Sequence, residues 1–376
     1  MGASKTMGTG SEPAQHSAAR TGRGEAPVPI VLDALKTIAV LTCGLAIGMA
    51  GCQSSAGPEV VIYVAVDQSQ SEPILQQFEA ESGVRVRAVY DAEAAKTTGL
   101  VTRLLGEAPR PRCDVFWNNE PVQTLLLAER QLLGSYHPGT AADVPAELKD
   151  PDGRWTAIGT RARVIVYNTR HVSAADLPQS IFDLADPKWR GKVAMANPQF
   201  GTTRTHVAAL FAVLGPQRAQ RFLKDLLANE VRIVDGNAMV KNLVARADPG
   251  ASPIYLGLTD TDDVRSGQAD DEPVDMIYPD QAPDGLGTLM CASTISLVHG
   301  CPHPEAARRL MDYLAGPEVG VRLASEWAGF LPAQRGPSQA AATAAQVQPR
   351  AMKVSSQALL EQLEPSSQWT RDQFHP

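Results

Sequence analysis

Residues 60–90 read VVIYVAVDQSQSEPILQQFEAESGVRVRAVY, and the succession of patterns in that stretch decides the fold. Val60–Val66 is a continuous apolar run, the pattern of a strand buried on both faces. Ser69 with Glu72 three residues later makes a capping box, and Pro73 falls in the first turn. Ile74, Leu75 and Phe78 then supply one apolar stripe, so a helix follows, and Gly83 stops it. Residues 84–90 alternate as a second strand. A strand, a helix and a strand in so short a span imply a parallel pair joined by a right-handed crossover.

Working outward, the alternation continues. A helix is expected over 97–106, a short apolar strand over 114–117 and a helix over 121–131. The pattern restarts with strands over 163–167 and 192–196, helices over 203–214 and 216–228, a strand over 231–234, a helix over 238–246 and a strand over 254–258. After a Pro/Asp/Gly-rich stretch at 278–287, residues 288–298 read as a long strand that re-enters the first unit. Helices over 304–314 and 317–327 complete the ordered part. Two parallel units in tandem predict an α/β, two-lobed protein, each lobe a mainly parallel sheet flanked by helices. The expected division is 58–158 with 286–315 for lobe one, and 159–285 with 316–335 for lobe two. Residues 336–376 are left as a linker and a C-terminal helix packed on the outside.

Composition agrees with that architecture and removes other classes. The chain has 376 residues, 44% of them hydrophobic, with 41 acidic and 34 basic side chains for a net charge of −7. A net negative field argues against a nucleic-acid partner. No apolar run is long enough to span a bilayer permanently, so the expected membrane association is through a lipid anchor only. Its signal is near the start: Lys36 precedes the uncharged run TIAVLTCGLAIGMAG over 37–51, and Cys52 follows. That is a basic n-region, an apolar h-region and a cleavage site. It resembles a bacterial lipoprotein signal with Cys52 as the lipidated residue. Residues 1–51 are therefore read as a disordered leader plus signal peptide, with translation expected to begin at position 35, and 52–57 as a polar tether.

In an open parallel sheet, ligands bind beyond the carboxyl ends of the strands. Those ends are polar here: Asp67 and Gln68 after the first strand, Asp91, Glu93 and Lys96 after the second, and Trp117, Asn118, Asn119 and Glu120 after the third. In the second unit they are Gly201, Thr202 and Thr203, then Asn237, then Thr259, Asp260, Thr261 and Asp262. Such residues are ordinary helix caps one at a time. Six clusters together, with Trp117 and Phe200 as apolar walls, are expected to line one site between the lobes, to which Arg161 is added.

The runs 62–86, DVFWNNE (114–120), WTAIGTRARVIVYNTR (155–170), DPKWRGKVAMANPQFGTT (186–203) and PDGLGTL (283–289) resemble the ferric-ion-binding solute-binding proteins of bacterial ABC importers. The resemblance covers roughly 58–335. It implies a "Venus flytrap" that closes on a solute outside the inner membrane and delivers it to a permease and its ATPase. It also implies a monomer with no resident cofactor, periplasmic or otherwise extracytoplasmic and held to a membrane through Cys52. The family's synergistic anion sits on a small-residue turn, here Phe200–Thr203, whose backbone N–H groups at a helix start suit an anion. Its paired iron-binding tyrosines have no counterpart in GLTDTDD over 257–263. Fe³⁺ with an anion could still use Asp67, Asp260 and Asp262. A small organic zwitterion fits the same mixture of carboxylates and anion turn.

A hydrolase would need a nucleophile elbow, a metalloprotease helix or a phosphate loop, and none is present. A binding protein that senses a ligand for a membrane receptor would look the same in sequence. If the site residues are solvent-facing contacts, Asp260→Ala and Thr202→Val should weaken binding while lowering ligand-free stability by less than about 1 kcal/mol.

Overall fold

The computed structural model describes residues 57–91, 98–251, 253–326, 330–333 and 349–374. The leader, Cys52, Glu93 and Lys96 lie outside the described residues. In chain order the elements are β1 (Glu59–Val64), α1 (Gln68–Ser82), β2 (Arg85–Tyr90), α2 (Thr98–Glu107), β3 (Val115–Asn118), α3 (Pro121–Glu129) and β4 (Leu133–Gly134). Then come β5 (Thr156–Asn168), β6 (Val193–Ala196), α4 (Gly201–Leu214), α5 (Pro216–Ala228), β7 (Arg232–Val234), α6 (Asn237–Ala245), β8 (Leu256–Asp260), α7 (Thr261–Ala269) and β9 (Val274–Ile277). Last are β10 (Met290–Val298), α8 (Pro304–Leu314), α9 (Pro317–Glu326), β11 (Leu331–Pro332) and α10 (Ser356–Gln373).

The strand order is β2-β1-β3-β10-β5-β8-β6-β7, with β4 on β10 and β9 and β11 on β5. β1 pairs in parallel with both β2 and β3, and β6 with both β7 and β8, as the crossovers require. β5 joins the two halves. Its first residues pair antiparallel with β10, and from Arg163 onward it pairs antiparallel with β8. The chain therefore passes between lobes inside a single strand.

Burial on both faces explains the apolar run that opens the fold. Val60, Ile62 and Val64 join one cluster with Phe78, Leu310 and Met311, while Tyr63 and Ala65 point to another with Leu104 and Leu127. The second lobe repeats this: Ile165, Val193 and Met195 pack with Phe211, whereas Val164, Val166 and Ala194 pack with Val240 and Val264.

Four expectations need correction. α1 starts at Gln68 with Asp67 as its N-cap, so the Ser69 capping box is not the helix start. Val319, Leu323, Phe330 and Ala333 pack in the first lobe's cluster, so 316–335 does not belong to lobe two. α10 is not a short segment on the outside: Leu359 and Leu363 are buried in the second lobe's core, and Trp369 stacks on Phe211 with ring centroids 6.0 Å apart. Trp117 is fully buried, its indole donating to Ser293 Oγ at 3.1 Å, because β3 is a central strand covered on both sides. Cys113, Cys291 and Cys301 are free thiols.

Gly159 on β5 lies under the Phe330 ring, with no room for a Cβ. Gly159→Ala is therefore expected to cost about 1–3 kcal/mol, read as a lower urea midpoint at unchanged m-value.

Candidate functional site

The polar strand ends meet around a cavity of about 730 Å³. Asp67, Gln70, Asn119, Ser293 and Phe330 line one side. Ala196, Asn197, Phe200–Thr203, Asp235–Met239, Asp260, Asp262 and Asp263 line the other, with Arg161 of β5 between them. Of the expected residues, Asp67, Asn119, Arg161, Gly201, Thr202, Thr203, Asn237, Asp260 and Asp262 reach this cavity.

The others have structural work. Gln68 is exposed and bonds Glu72 at 2.9 Å. Asp91 accepts the Leu100 N–H at the start of α2, at 3.3 Å. Asn118 is buried and donates to Thr124 Oγ1 at 2.9 Å. Glu120 caps α3, accepting from Val122 and Gln123 N–H at 3.0 and 2.9 Å, and takes a bond from Thr205 Oγ1 of the second lobe at 2.7 Å. Burial pushes its carboxyl pKa upward. Thr259 and Thr261 sit behind the wall, bonded to Asp263 Oδ2 at 2.8 Å and the Ala162 N–H at 3.2 Å.

At the floor lies a residue that the strand-end reading missed. Arg163 is fully buried, and its Nη1 donates to Asp260 Oδ1 at 2.8 Å, Thr202 Oγ1 at 3.1 Å and Asn237 Oδ1 at 3.1 Å. Its Nη2 reaches Thr203 Oγ1 at 3.3 Å. Thr202 Oγ1 and Asn237 Nδ2 in turn donate to Asp260 Oδ2 at 2.7 and 3.0 Å. One carboxylate and one guanidinium thus fix the start of α4, the start of α6 and the end of β8. Asp260 is therefore a buried pillar of the site. Its carboxylate oxygens are already committed.

Arg161, two residues earlier on the same face of β5, is closer to the opening. It donates to Asp262 Oδ2 at 2.9 Å and to the Asn119 carbonyl of lobe one at 3.1 Å. Arg161 Nε and Asp262 Oδ1 are both buried without a hydrogen-bond partner. Burial would raise the Asp260 carboxyl, but Arg163 and Arg161 outweigh it and hold it below the usual carboxylate range. Asp263 is pushed up to about 7, first by burial and then by the charges of Asp262 and Asp260. Oxygens of Asp260, Asp262 and Asp263 lie within 4.8 Å of one another, close enough to share a cation.

The small-residue turn at 200–203 opens a helix. α4 begins at Gly201, whose φ of 52° is left-handed and open to glycine at little cost, and Phe200 at its N-cap is 42% exposed. Gly201, Thr202 and Thr203 at its start border the cavity. Phe200 and Met239 are two of the three exposed large hydrophobic side chains among the described residues, and both border this cavity.

A family model for bacterial extracellular solute-binding proteins matches residues 124–362. The Fe(3+)-binding periplasmic protein of Serratia marcescens is 24% identical over 76% of this chain and 82% of its own length. A periplasmic protein of Salmonella typhimurium, provisionally named for binding 2-aminoethylphosphonate, is 26% identical over 68% of this chain and 72% of its own. The crystal structure of iron-bound HitA from Pseudomonas aeruginosa shares the fold with a TM-score of 0.72 at 22% identity, over 84% of this chain and 99% of that one.

Two stability predictions follow from the floor. Asp260→Ala strands the buried Arg163 guanidinium and is expected to cost about 3–5 kcal/mol by urea unfolding, against the value below about 1 kcal/mol that a surface contact would give. The second concerns pH. Folded Asp263 keeps its proton up to about 7, so its contribution is full below the unfolded carboxylate value near 4 and fades as pH rises through 7. His206, lowered to about 3 by burial and then by Arg163, contributes fully above pH of about 6.5 and loses this as pH falls. The two slopes oppose each other. Asp263→Asn should leave the His206 slope unopposed, so its urea midpoint should fall more steeply than the wild type's from pH 6.5 to 4.

Proposed function

The chain belongs to the bacterial extracellular solute-binding proteins, and we propose that it captures a small solute carrying both signs of charge and hands it to the permease of an ABC importer. The observation that carries this reading is the pairing of Arg161 with Asp262 at the cavity wall. Arg161 and Asp262 both border the cavity beside the α4 N-terminus, and each also keeps one buried polar atom without a hydrogen-bond partner. An anionic group of the solute accepts from Arg161 and the α4 turn. A cationic group lies against Asp262 and, from the other lobe, Asp67. Contacts from both lobes make the closed form the one that holds solute best, which is how binding energy selects closure.

Phe200 and Met239 support an organic solute, since a hydrated ion has no apolar surface to offer them. Among the described residues the cavity wall carries no tyrosine, and Asp260 is occupied by Arg163. The second reading is ferric ion with an accompanying anion. It is favoured by the Asp260–Asp262–Asp263 grouping and by the Fe(3+)-binding relative of Serratia marcescens. In either case Cys52, as the lipid-bearing residue of an exported chain, keeps the protein beside its permease.

Titration calorimetry of the protein freed of solute separates the readings. 2-Aminoethylphosphonate or its carboxylate counterpart β-alanine should bind at micromolar concentration or below, and Arg161→Ala should weaken that at least tenfold. Binding of ferric ion with phosphate in place of either organic probe would establish the second reading. No binding of any of the three, or an Arg161→Ala protein that binds as well as the wild type, would overturn the assignment of this cavity.

A further inference from the structure

We infer that Ser367 and Thr370, on the C-terminal helix α10, are positioning residues for the solute-binding turn at the start of α4. The inference rests on the proposed reading of the cavity, but it concerns a different part of the chain. Both residues lie beyond the stretch that the family model matches.

The turn is bracketed by Gln199 before it and Arg204 after it. Gln199 Nε2 donates to Thr370 Oγ1 at 2.6 Å and to the Ser367 carbonyl at 3.3 Å. Arg204 Nε donates to Ser367 Oγ at 2.8 Å. Phe200, Gly201, Thr202 and Thr203, which border the cavity, lie between these two anchors. The turn has no side-chain cap of its own, because its N-cap is Phe200, and it enters the helix through a left-handed glycine. The hydroxyls of Thr202 and Thr203 hold this helix start from the cavity side, and without a capping side chain its flanks need a second hold from outside.

α10 is equipped to do so. Ser367 and Thr370 are buried, and the Thr370 hydroxyl is oriented by donating to the carbonyls of Ser366 and Ser367 at 3.0 and 3.1 Å. This leaves its oxygen lone pairs for Gln199. The helix is itself held by Leu359 and Leu363 in the core and by Trp369 against Phe211 of α4. It also lies against α3 of the first lobe, whose capping residue Glu120 accepts from Thr205, one residue past Arg204. The first two turns of α4 are thus located by the Arg163–Asp260 pair, by lobe one and by α10 together.

The test uses the full chain and two readouts. In the double variant Ser367→Ala/Thr370→Val, amide hydrogen exchange across 202–207 should accelerate at least tenfold in the solute-free protein. Affinity for whichever probe the wild type binds, 2-aminoethylphosphonate or ferric ion with phosphate, should fall about tenfold. The hydroxyl-conserving pair Ser367→Thr/Thr370→Ser should restore both. Gln199→Ala removes one anchor from the other side without touching α10, and it should reproduce the exchange effect if the double variant folds poorly. Unchanged exchange across 202–207 in Gln199→Ala and in the double variant would overturn the inference and leave α10 a packing helix. Accelerated exchange in a protein whose wild type binds none of the probes would uphold the positioning role and reject only the reading of the cavity.

Discussion

The buried pair of Arg163 and Asp260 is the constraint on which the rest of the site depends. A guanidinium and a carboxylate removed from water survive only when their mutual attraction is joined by hydrogen bonds to their remaining donors and acceptors. Here those bonds come from Thr202, Thr203 and Asn237. Meeting the electrostatic demand of one arginine therefore fixes where two helices begin and where β8 ends. The cavity's shape follows from this, because the α4 and α6 starts are two of its walls.

The same pair sets the sign of the site. Five carboxylates border the cavity, those of Asp67, Asp235, Asp260, Asp262 and Asp263, but the chain has placed Arg161 and Arg163 among them. A floor that already contains its own counter-charges attracts a trivalent cation less than the acidic residues alone suggest. It leaves Arg161 and the α4 start lining one cavity with Asp262 and Asp67, groups of both signs in reach of the same space.

Much of the fold was legible because period and length are local properties. The doubly buried β1, the α1 stripe and the re-entry of β10 could all be read from apolar patterns. The strand-end rule found eight of the nine expected residues that reach the cavity, all but Arg161, since it follows from topology alone. It failed where a polar residue at a strand end answers to a neighbour in space: Glu120 caps α3 and joins the lobes, and Asn118 ties β3 to α3. Trp117 was misplaced because β3 gains β10, some 180 positions away, as its partner. A signal for Arg163 did exist. Arg161 and Arg163 alternate within a strand otherwise apolar on both faces, and a charge in such a place requires a buried counter-charge. Asp260, at the end of the neighbouring strand, is that partner.

The pairing of β3 with β10 has one more consequence. Since β10 separates β3 from β5 in the sheet, lobe one lacks an inner strand until residues 290–298 are available. Lobe two, inserted between, draws its strands from a much shorter stretch of chain, although its core also waits for α10. A polypeptide crossing a membrane N-terminus first would therefore present an unfinished sheet, with the edges of β3 and β5 uncovered, for most of its passage. Pairings this distant in sequence form slowly, and open strand edges are where chains aggregate. The β3 and β5 edges stay open to wrong partners until β10 arrives, a vulnerability of the chain before it has met any solute.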